Sequence, residues 1–347
     1  MKLSKFGVAI AFSALTALTI SGCGSTATTT PGAGGSGAAP ASDTSGAGAP
    51  SSSEMSGSEM SGSDMSSSDM SSSAESGGGS SGSAGASDTG GAGSSAAAGG
   101  PSKVMADAKG GKLTVGIKFD QPGLGLKNPD GSFSGFDVEV AKYVAKQLGV
   151  QESGVTFVET KSAEREDKIA KGEVDYIAAT YSITDTRKKK VNFAGPYFVA
   201  HQDLLVKADN TDITGPDAMN GKILCSVTGS TPAQKVKEKY AKDVALQEFG
   251  TYSECVAQLK SGTVDAVTTD DVILAGFAAQ DPGQFKLVGK GFSDENYGIG
   301  LKLGDSAGTD AINAAIKKMI SEGAWKAALE KTVGPSGYKV PHPPSIP

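Results

Sequence analysis

Two seven-residue stretches, Ile169-Ala170-Lys171-Gly172-Glu173-Val174-Asp175 and Leu259-Lys260-Ser261-Gly262-Thr263-Val264-Asp265, share one pattern: a helix end, a glycine, then Val-Asp at the start of a strand. Glycine just past a helical segment can adopt the left-handed conformation that ends it. The elements around the two stretches come in the same order. Before the first lie a strand Leu113–Ile117, a helix opening at Gly135-Phe136-Asp137, a strand Val155–Val158 and a short helix to Lys171; a strand Val174–Ala179 follows. The opening helix carries Val138, Ala141, Val144, Ala145 and Leu148 on one face, ends at Gly149, and has Asp137 placed to cap it. The second set is strand Ile223–Val227, helix Pro232–Tyr240, strand Val244–Phe249, helix Tyr252–Lys260 and strand Val264–Thr268. Strands alternating with helices predict α/β architecture with mainly parallel sheets. The repeated order predicts two similar lobes with a cleft between them, where ligands are favoured. A last helix is expected from roughly Thr309 to Lys331, with Ile312, Ile316, Ile320 and Trp325 inward, before a proline-rich tail.

Of 347 residues, almost all that can build a core lie after residue 103. Met1–Ile20 has Lys2 and Lys5 followed by an apolar run from Val8, which reads as a signal peptide. That run is shorter than the ~20 residues a bilayer span needs. Ile20-Ser21-Gly22-Cys23 resembles the bacterial lipobox, with Ile20 in place of the usual leucine, which implies removal of residues 1–22 and acylation of Cys23. Residues 23–102 are Ser, Gly, Ala and Thr with scattered acids, too poor in apolar mass to offset chain entropy, and are expected to form a disordered tether. A five-residue unit recurs there, from Ser51-Ser52-Ser53-Glu54-Met55 to Ser66-Ser67-Ser68-Asp69-Met70; it reads as a solvated spacer rather than a soft-metal trap. A flexible linker of this length reaches roughly 50 Å.

The net charge of −6 and the absence of a basic stripe exclude the field of a nucleic-acid binder. His201 and His342 are the only histidines, and no nucleophile elbow, phosphate loop or zinc-protease motif occurs. That poverty favours binding over catalysis, with no metal or cofactor expected. His342 falls in the tail; His201 lies near an expected interlobe crossing, where a structural role competes with ligand contact. Besides Cys23 only Cys225 and Cys255 remain, and in an exported chain they are expected to pair. Two buried free thiols are the alternative.

A binder of free amino acids needs an arginine for the α-carboxylate and a carboxylate for the α-ammonium. Thr180-Tyr181-Ser182-Ile183-Thr184-Asp185-Thr186-Arg187 follows the strand Val174–Ala179, and Asp270 follows Val264–Thr268. Both are strand ends, where open α/β sheets place ligand contacts.

Gly135-Phe136-Asp137, then Ile183-Thr184-Asp185-Thr186-Arg187-Lys188-Lys189 with Phe193 and Pro196-Tyr197, and Val264-Asp265-Ala266-Val267-Thr268-Thr269-Asp270 occur in an order that resembles the family 3 solute-binding proteins of polar amino-acid ABC importers. The resemblance covers residues 112–334 and implies a type II periplasmic-binding-protein fold. Two crossing strands, about Tyr197–His201 and Asp294–Gly298, would form its hinge, with lobe 1 at residues 103–201 and 294–347 and lobe 2 at 202–293. It implies that Arg187 clamps the ligand carboxylate and Asp270 takes the ammonium, with Asp271 the competitor for that role. The Thr180 carbonyl and Ser182 hydroxyl would complete the ammonium shell, and the helix start at Gly229, Ser230 and Thr231 would donate amides to the carboxylate. Without the resemblance, Arg187 beside Lys188, Lys189 and Lys190 reads as a solvated basic patch.

Lys118, in the loop Lys118-Phe119-Asp120-Gln121-Pro122-Gly123-Leu124-Gly125, would favour a second carboxylate over an amide. That loop and the Cys225/Cys255 pair are similar to glutamate-binding lipoproteins of high-GC Gram-positive bacteria. The resemblance therefore implies a lipid-anchored protein on the outer face of the cell membrane that binds glutamate, or aspartate, glutamine or asparagine, and serves ABC permease subunits. Cyclohexadienyl dehydratases, which share the fold, are the enzymatic alternative, and a receptor-linked amino-acid sensor is a third reading.

Overall fold

A computed structural model describes residues 101–347; the expected signal peptide, Cys23 and nearly all of the tether lie outside the described residues. Helix α1 (Lys103–Lys109) opens the described chain, capped by the Ser102 hydroxyl, which accepts the Met105 N–H at 3.1 Å. Strand β1 (Leu113–Ile117) matches its expected span and is buried. The loop after it folds into a small antiparallel sheet of β2 (Asp120–Gln121), β3 (Gly125–Lys127) and β4 (Phe133–Ser134). These pieces are too short to show periodicity in sequence.

Helix α2 (Phe136–Gln147) buries Val138, Val140, Ala141, Val144 and Ala145, the face its 3.6-residue spacing anticipates. Asp137 does not cap it. Gly135 takes the cap position at φ 120°, where a Cβ would stand 2.1 Å from the Leu124 carbonyl oxygen. The chain therefore enters the helix two residues earlier than expected, and Asp137 is buried.

Strand β5 (Val155–Glu159), helix α3 (Arg165–Lys171) and strand β6 (Tyr176–Ile177) complete the first repeat, with Gly172 left-handed at the end of α3. Strand β6 is shorter than the expected Val174–Ala179, although the Asp175 and Ala178 N–H groups still donate to the Thr114 and Gly116 carbonyls of β1 at 2.8 and 2.9 Å; the chain then turns at Thr180, a β-branched residue at φ 45°. A single turn, α4 (Asp185–Lys188), leads into β7 (Val191–Lys207).

The second repeat is β8 (Ile223–Val227), α5 (Pro232–Lys239), β9 (Ala245–Phe249), α6 (Tyr252–Ser261) and β10 (Ala266–Asp270), with Gly262 left-handed after α6. Helix α7 (Asp271–Gln280) follows without a break. It was not anticipated: Val272-Ile273-Leu274-Ala275-Gly276-Phe277 is apolar on every side, so no amphipathic period marks it, and the six residues are buried. Strands β11 (Phe285–Leu287) and β12 (Asp294–Lys302) lead to α8 (Ser306–Ser321) and α9 (Ala324–Thr332). The single final helix expected over Thr309–Lys331 is thus two helices, divided at Gly323, which is left-handed at φ 76°.

The sheets explain the two lobes. In the first, β5, β1 and β6 run parallel in the order β5-β1-β6, and β12 and then β7 add antiparallel on the β6 side. In the second, β9, β8 and β10 run parallel in the matching order β9-β8-β10, and β7 adds antiparallel on the β10 side. Strand β7 belongs to both. It pairs with β12 from Val191 to His201, then with β10 from Gln202 and with β11 up to Lys207. The stretches expected to cross, Tyr197–His201 and Asp294–Gly298, lie in this shared ribbon, where Asp294–Tyr297 face His201–Phe198.

Cys225 in β8 and Cys255 in α6 form a disulfide with Cα atoms 5.6 Å apart. Its 30-residue separation corresponds to about 3 to 4 kcal/mol of stabilisation in the loop-closure description.

Candidate functional site

Every parallel strand of both sheets ends at one place. Beyond the carboxyl ends of β1, β5 and β6 stand Lys118, then Ser162 and Arg165, then Thr180 and Ser182. Beyond β8 and β9 stand Ser230 to Pro232 and then Tyr252, and β10 itself ends in Thr269 and Asp270. A cavity between the lobes is lined by Ser162, Arg165, Thr180, Ser182, Arg187, Ser230, Thr231, Tyr252, Asp270 and their neighbours. The fold thus brings Arg187, Asp270, Ser182, Thr180, Ser230 and Thr231 to one cavity from strand ends far apart in sequence.

The first lobe brings cations. Arg187 is buried, and its Nη1 donates to the Ser182 carbonyl at 2.9 Å while Nη2 reaches across to the Gly229 carbonyl at 3.1 Å. Glu166 stands 3.4 Å from its Nε. The reading of Arg187 as part of a solvated patch fails, because α4 turns it inward while Lys188, Lys189 and Lys190 remain outside. Arg165 lies over the Tyr181 ring, 4.1 Å from its centroid, and donates to the Ser162 and Ala179 carbonyls. Burial, and then Arg187, draws its guanidinium down to about 10.

Lys118 is equally buried and donates to the Ser162 hydroxyl at 2.9 Å. Burial, aided by Arg165, lowers its ammonium to about 7. Lys118 does not line the cavity itself; Ser162 stands between. Three cations converging on one buried place repel each other and create a demand for anionic partners.

The second lobe brings one acid. Asp270 ends β10 and precedes the first residue of α7; its Oδ2 accepts the Tyr297 hydroxyl at 2.5 Å. Its Oδ1 is buried with no hydrogen-bond partner. An orphaned buried carboxylate oxygen is costly, so it marks a place for a donor the chain does not supply. Burial, and then Glu295, pushes Asp270 up to about 7. Asp271 faces elsewhere, accepting from the His201 amide at 3.1 Å and the Tyr338 hydroxyl at 3.0 Å.

Thr231 and Pro232 open α5, with Pro232 at the first helical position, and the Ser230 hydroxyl lies 3.2 Å from that of Ser226. Gly229 contributes its carbonyl to Arg187 and lies outside the cavity lining. Its φ of +76° and the Ala163 Cα only 2.6 Å from where a Cβ would be show that a side chain there would push the lobes apart.

Asp137, expected as a cap, instead supports the site. It accepts the Thr180 N–H at 3.0 Å and the Tyr197 hydroxyl at 2.7 Å, holding Thr180 in its strained conformation. Burial raises its carboxyl to about 6. His201 is exposed and pairs with Asp294 at 3.0 Å, and His342 is exposed in the tail, so neither meets the cavity.

Arg165, Ser162 and Tyr252 escaped the sequence reading. Arg165 sits in the charged run Glu164-Arg165-Glu166-Asp167-Lys168, which looks like a solvated helix start. The signal that could have found it is its place just beyond the end of β5, where sheets of this class put ligand contacts. A larger groove of about 610 Å³, between α2, α8 and α9, is open to solvent and away from these residues.

The model of the bacterial extracellular solute-binding proteins, family 3, matches residues 113–335. The glutamate-binding protein GluB of Corynebacterium glutamicum is 50% identical over 240 residues, 66% of this chain and 81% of that protein. The ABC transporter glutamine-binding protein GlnH of Bacillus subtilis is 40% identical over 223 residues, 64% of this chain and 81% of that protein. Among solved structures, the ancestral amino acid-binding protein AncCDT-1, a precursor of cyclohexadienyl dehydratase, superposes with a TM-score of 0.61 at 28% identity, over 67% of this chain and 100% of that one.

Proposed function

This chain belongs to the bacterial extracellular solute-binding proteins, family 3, and on that premise we propose that it captures a free acidic amino acid, glutamate first, by closure of its two lobes. The observation that carries this is the polarity of the cavity. Arg187, Arg165 and Lys118 converge from one lobe, and Asp270 with its unpartnered Oδ1 stands on the other. A ligand with two carboxylates and one ammonium complements that arrangement. Arg187 would hold the α-carboxylate together with the Thr231 amide, the Ser230 N–H being committed to the Val227 carbonyl at 2.9 Å. Asp270 would take the ammonium with Thr180 and Ser182, and Arg165 with Lys118 behind Ser162 would set the demand for a second carboxylate.

The similarity to GluB supports glutamate, and that to GlnH keeps glutamine as the competitor. Asparagine and aspartate differ from them in length, so calorimetric titration of the full chain with all four ranks the reading. Glutamate should bind tightest; no heat with any of them would overturn it. The cavity holds only about 20 Å³, near the space one water needs. Ligand therefore enters an open form, and the contacts to both lobes form on closing.

The inserted lobe would run over residues 202–293, with β7 and β12 as its hinge. Cys23, with the tether over residues 23–102, would hold the protein at the outer face of the membrane, where closed protein would dock on the permease subunits of an ABC importer. Metabolic labelling with a palmitate analogue, lost in Cys23→Ser, tests the anchor. The similarity to AncCDT-1 keeps an enzymatic reading in view, since the protonated Asp270 could act as a general acid. Turnover of prephenate or arogenate would establish it.

A further inference from the structure

The two lobes also meet at a contact made by Asp120, which is not among the residues lining the cavity. Asp120, in β2 of the first lobe, directs its Oδ2 at the first turn of α6 in the second. It accepts the Tyr252 N–H at 3.0 Å, the Ser253 N–H at 3.2 Å and the Ser253 hydroxyl at 3.3 Å. A helix leaves its first N–H groups without internal partners. In α6 the capping box of Thr251 and Glu254 serves the Glu254 N–H and the Thr251 N–H. The Tyr252 and Ser253 amides are left over, and it is a carboxylate from the other lobe that meets them, with the helix dipole favouring it.

The surfaces beside this contact are shaped for close approach. Gly276 of α7 lies against the next residues of the same loop: a Cβ there would stand 2.3 Å from the Pro122 carbonyl oxygen. The receiving helix is also held firmly, since Cys255 ties α6 to β8. Tyr252, whose amide is bonded to Asp120, lines the ligand cavity with its side chain.

We propose that Asp120 is a closure latch, a positioning residue that holds the lobes together through the α6 N-terminus and thereby sets how long ligand stays bound, without touching it. Separating the lobes would return both amides and the carboxylate to water. The latch then stabilises the closed form with or without ligand and acts on release more than on capture. The ligand part of the claim rests on the amino-acid-binding reading; the ligand-free part does not.

The test compares full-length wild type with Asp120→Asn, Asp120→Glu and Gly276→Ala. Small-angle scattering of the ligand-free proteins measures lobe separation, and stopped-flow measures glutamate association and dissociation. Asp120→Asn should enlarge the mean ligand-free dimension and raise the dissociation rate about 5-fold to 10-fold, with association within twofold. Asp120→Glu should recover most of both. Gly276→Ala, which adds a methyl in a helix and blocks the Pro122 approach, should open the protein in the same direction and keeps the test alive if Asp120→Asn folds poorly. Unchanged scattering and unchanged dissociation in Asp120→Asn and Gly276→Ala would overturn the latch. If glutamate fails to bind wild type, the functional reading falls, while the scattering arm still decides the latch.

Discussion

The two lobes share a scaffold and differ in charge. In each, three parallel strands lie in the same order, and a glycine in the left-handed conformation ends the helix before the third, Gly172 in one and Gly262 in the other. Yet the first lobe delivers Lys118, Arg165 and Arg187 to the cavity region, and the second delivers Asp270, a helix N-terminus and a disulfide-tied wall. The backbone repeat decides where side chains converge, and the residues at the strand ends decide what converges there. Attraction between lobes of opposite character is modest across water but grows as closing excludes it.

The largest expected break in that polarity is Arg187→Ala. Truncating one member of a buried charge contact costs about 2 to 5 kcal/mol, or about 30-fold to several thousand-fold in affinity. Calorimetry should show glutamate binding lost with circular dichroism unchanged; retained affinity would dissolve the contrast between the lobes.

Asp270→Asn tests the acidic side. Hydrogen bonds to charged groups contribute about 1.5 to 3 kcal/mol, so glutamate affinity at pH 8 should drop by about one to two orders of magnitude. The pH dependence sharpens this. Asp270 is raised to about 7, so below that pH the empty protein holds it neutral, and an ammonium ligand must displace the proton. Affinity therefore falls as pH drops below about 7, with proton release on binding. Lys118 is lowered to about 7, so above that pH the empty protein holds it neutral, and a second carboxylate must recruit a proton. Affinity for glutamate then also falls as pH rises. The two signs predict a maximum near pH 7. Asp270→Asn should flatten the acid limb only, which titrations in buffers of different ionisation enthalpy would read as the loss of proton release.

Lys118→Met gives the smallest effect and the most specific one. It should flatten the alkaline limb and weaken glutamate about tenfold, a change of about 1.4 kcal/mol, while glutamine loses less. Equal losses for both ligands would mean that Lys118 supports Ser162 and the loop rather than selecting charge.

Much of the fold is legible in the sequence alone. Strands β1 and β8 occupy their expected residues because short β-branched runs bounded by turn residues leave little freedom. Arg187 and Asp270 are singled out by family resemblance joined to the strands they follow, and the fold places both at one cavity. Helix α7 was hidden because a segment buried on all sides has no polar face to give it a period. Gly323 was passed over because an isolated glycine in a helical pattern can be tolerated as well as terminating. Asp137 misled for a related reason: an acid in a first turn usually caps, and only the tertiary contact with Thr180 and Tyr197 shows it turned inward. Arg165 was masked by its charged neighbours, since sequence cannot tell which member of such a run points into a cleft.

Strands β7 and β12 remain bonded to one another as β7 passes from the first sheet to the second. A paired ribbon resists shear and stretching far more than flexing across its narrow waist. Relative movement of the lobes should thus collapse onto one dominant angular coordinate, with little sliding. A single distance, between one reporter on each lobe, would then track the whole motion, and this gives the molecule the geometry of a one-axis gauge for its ligand.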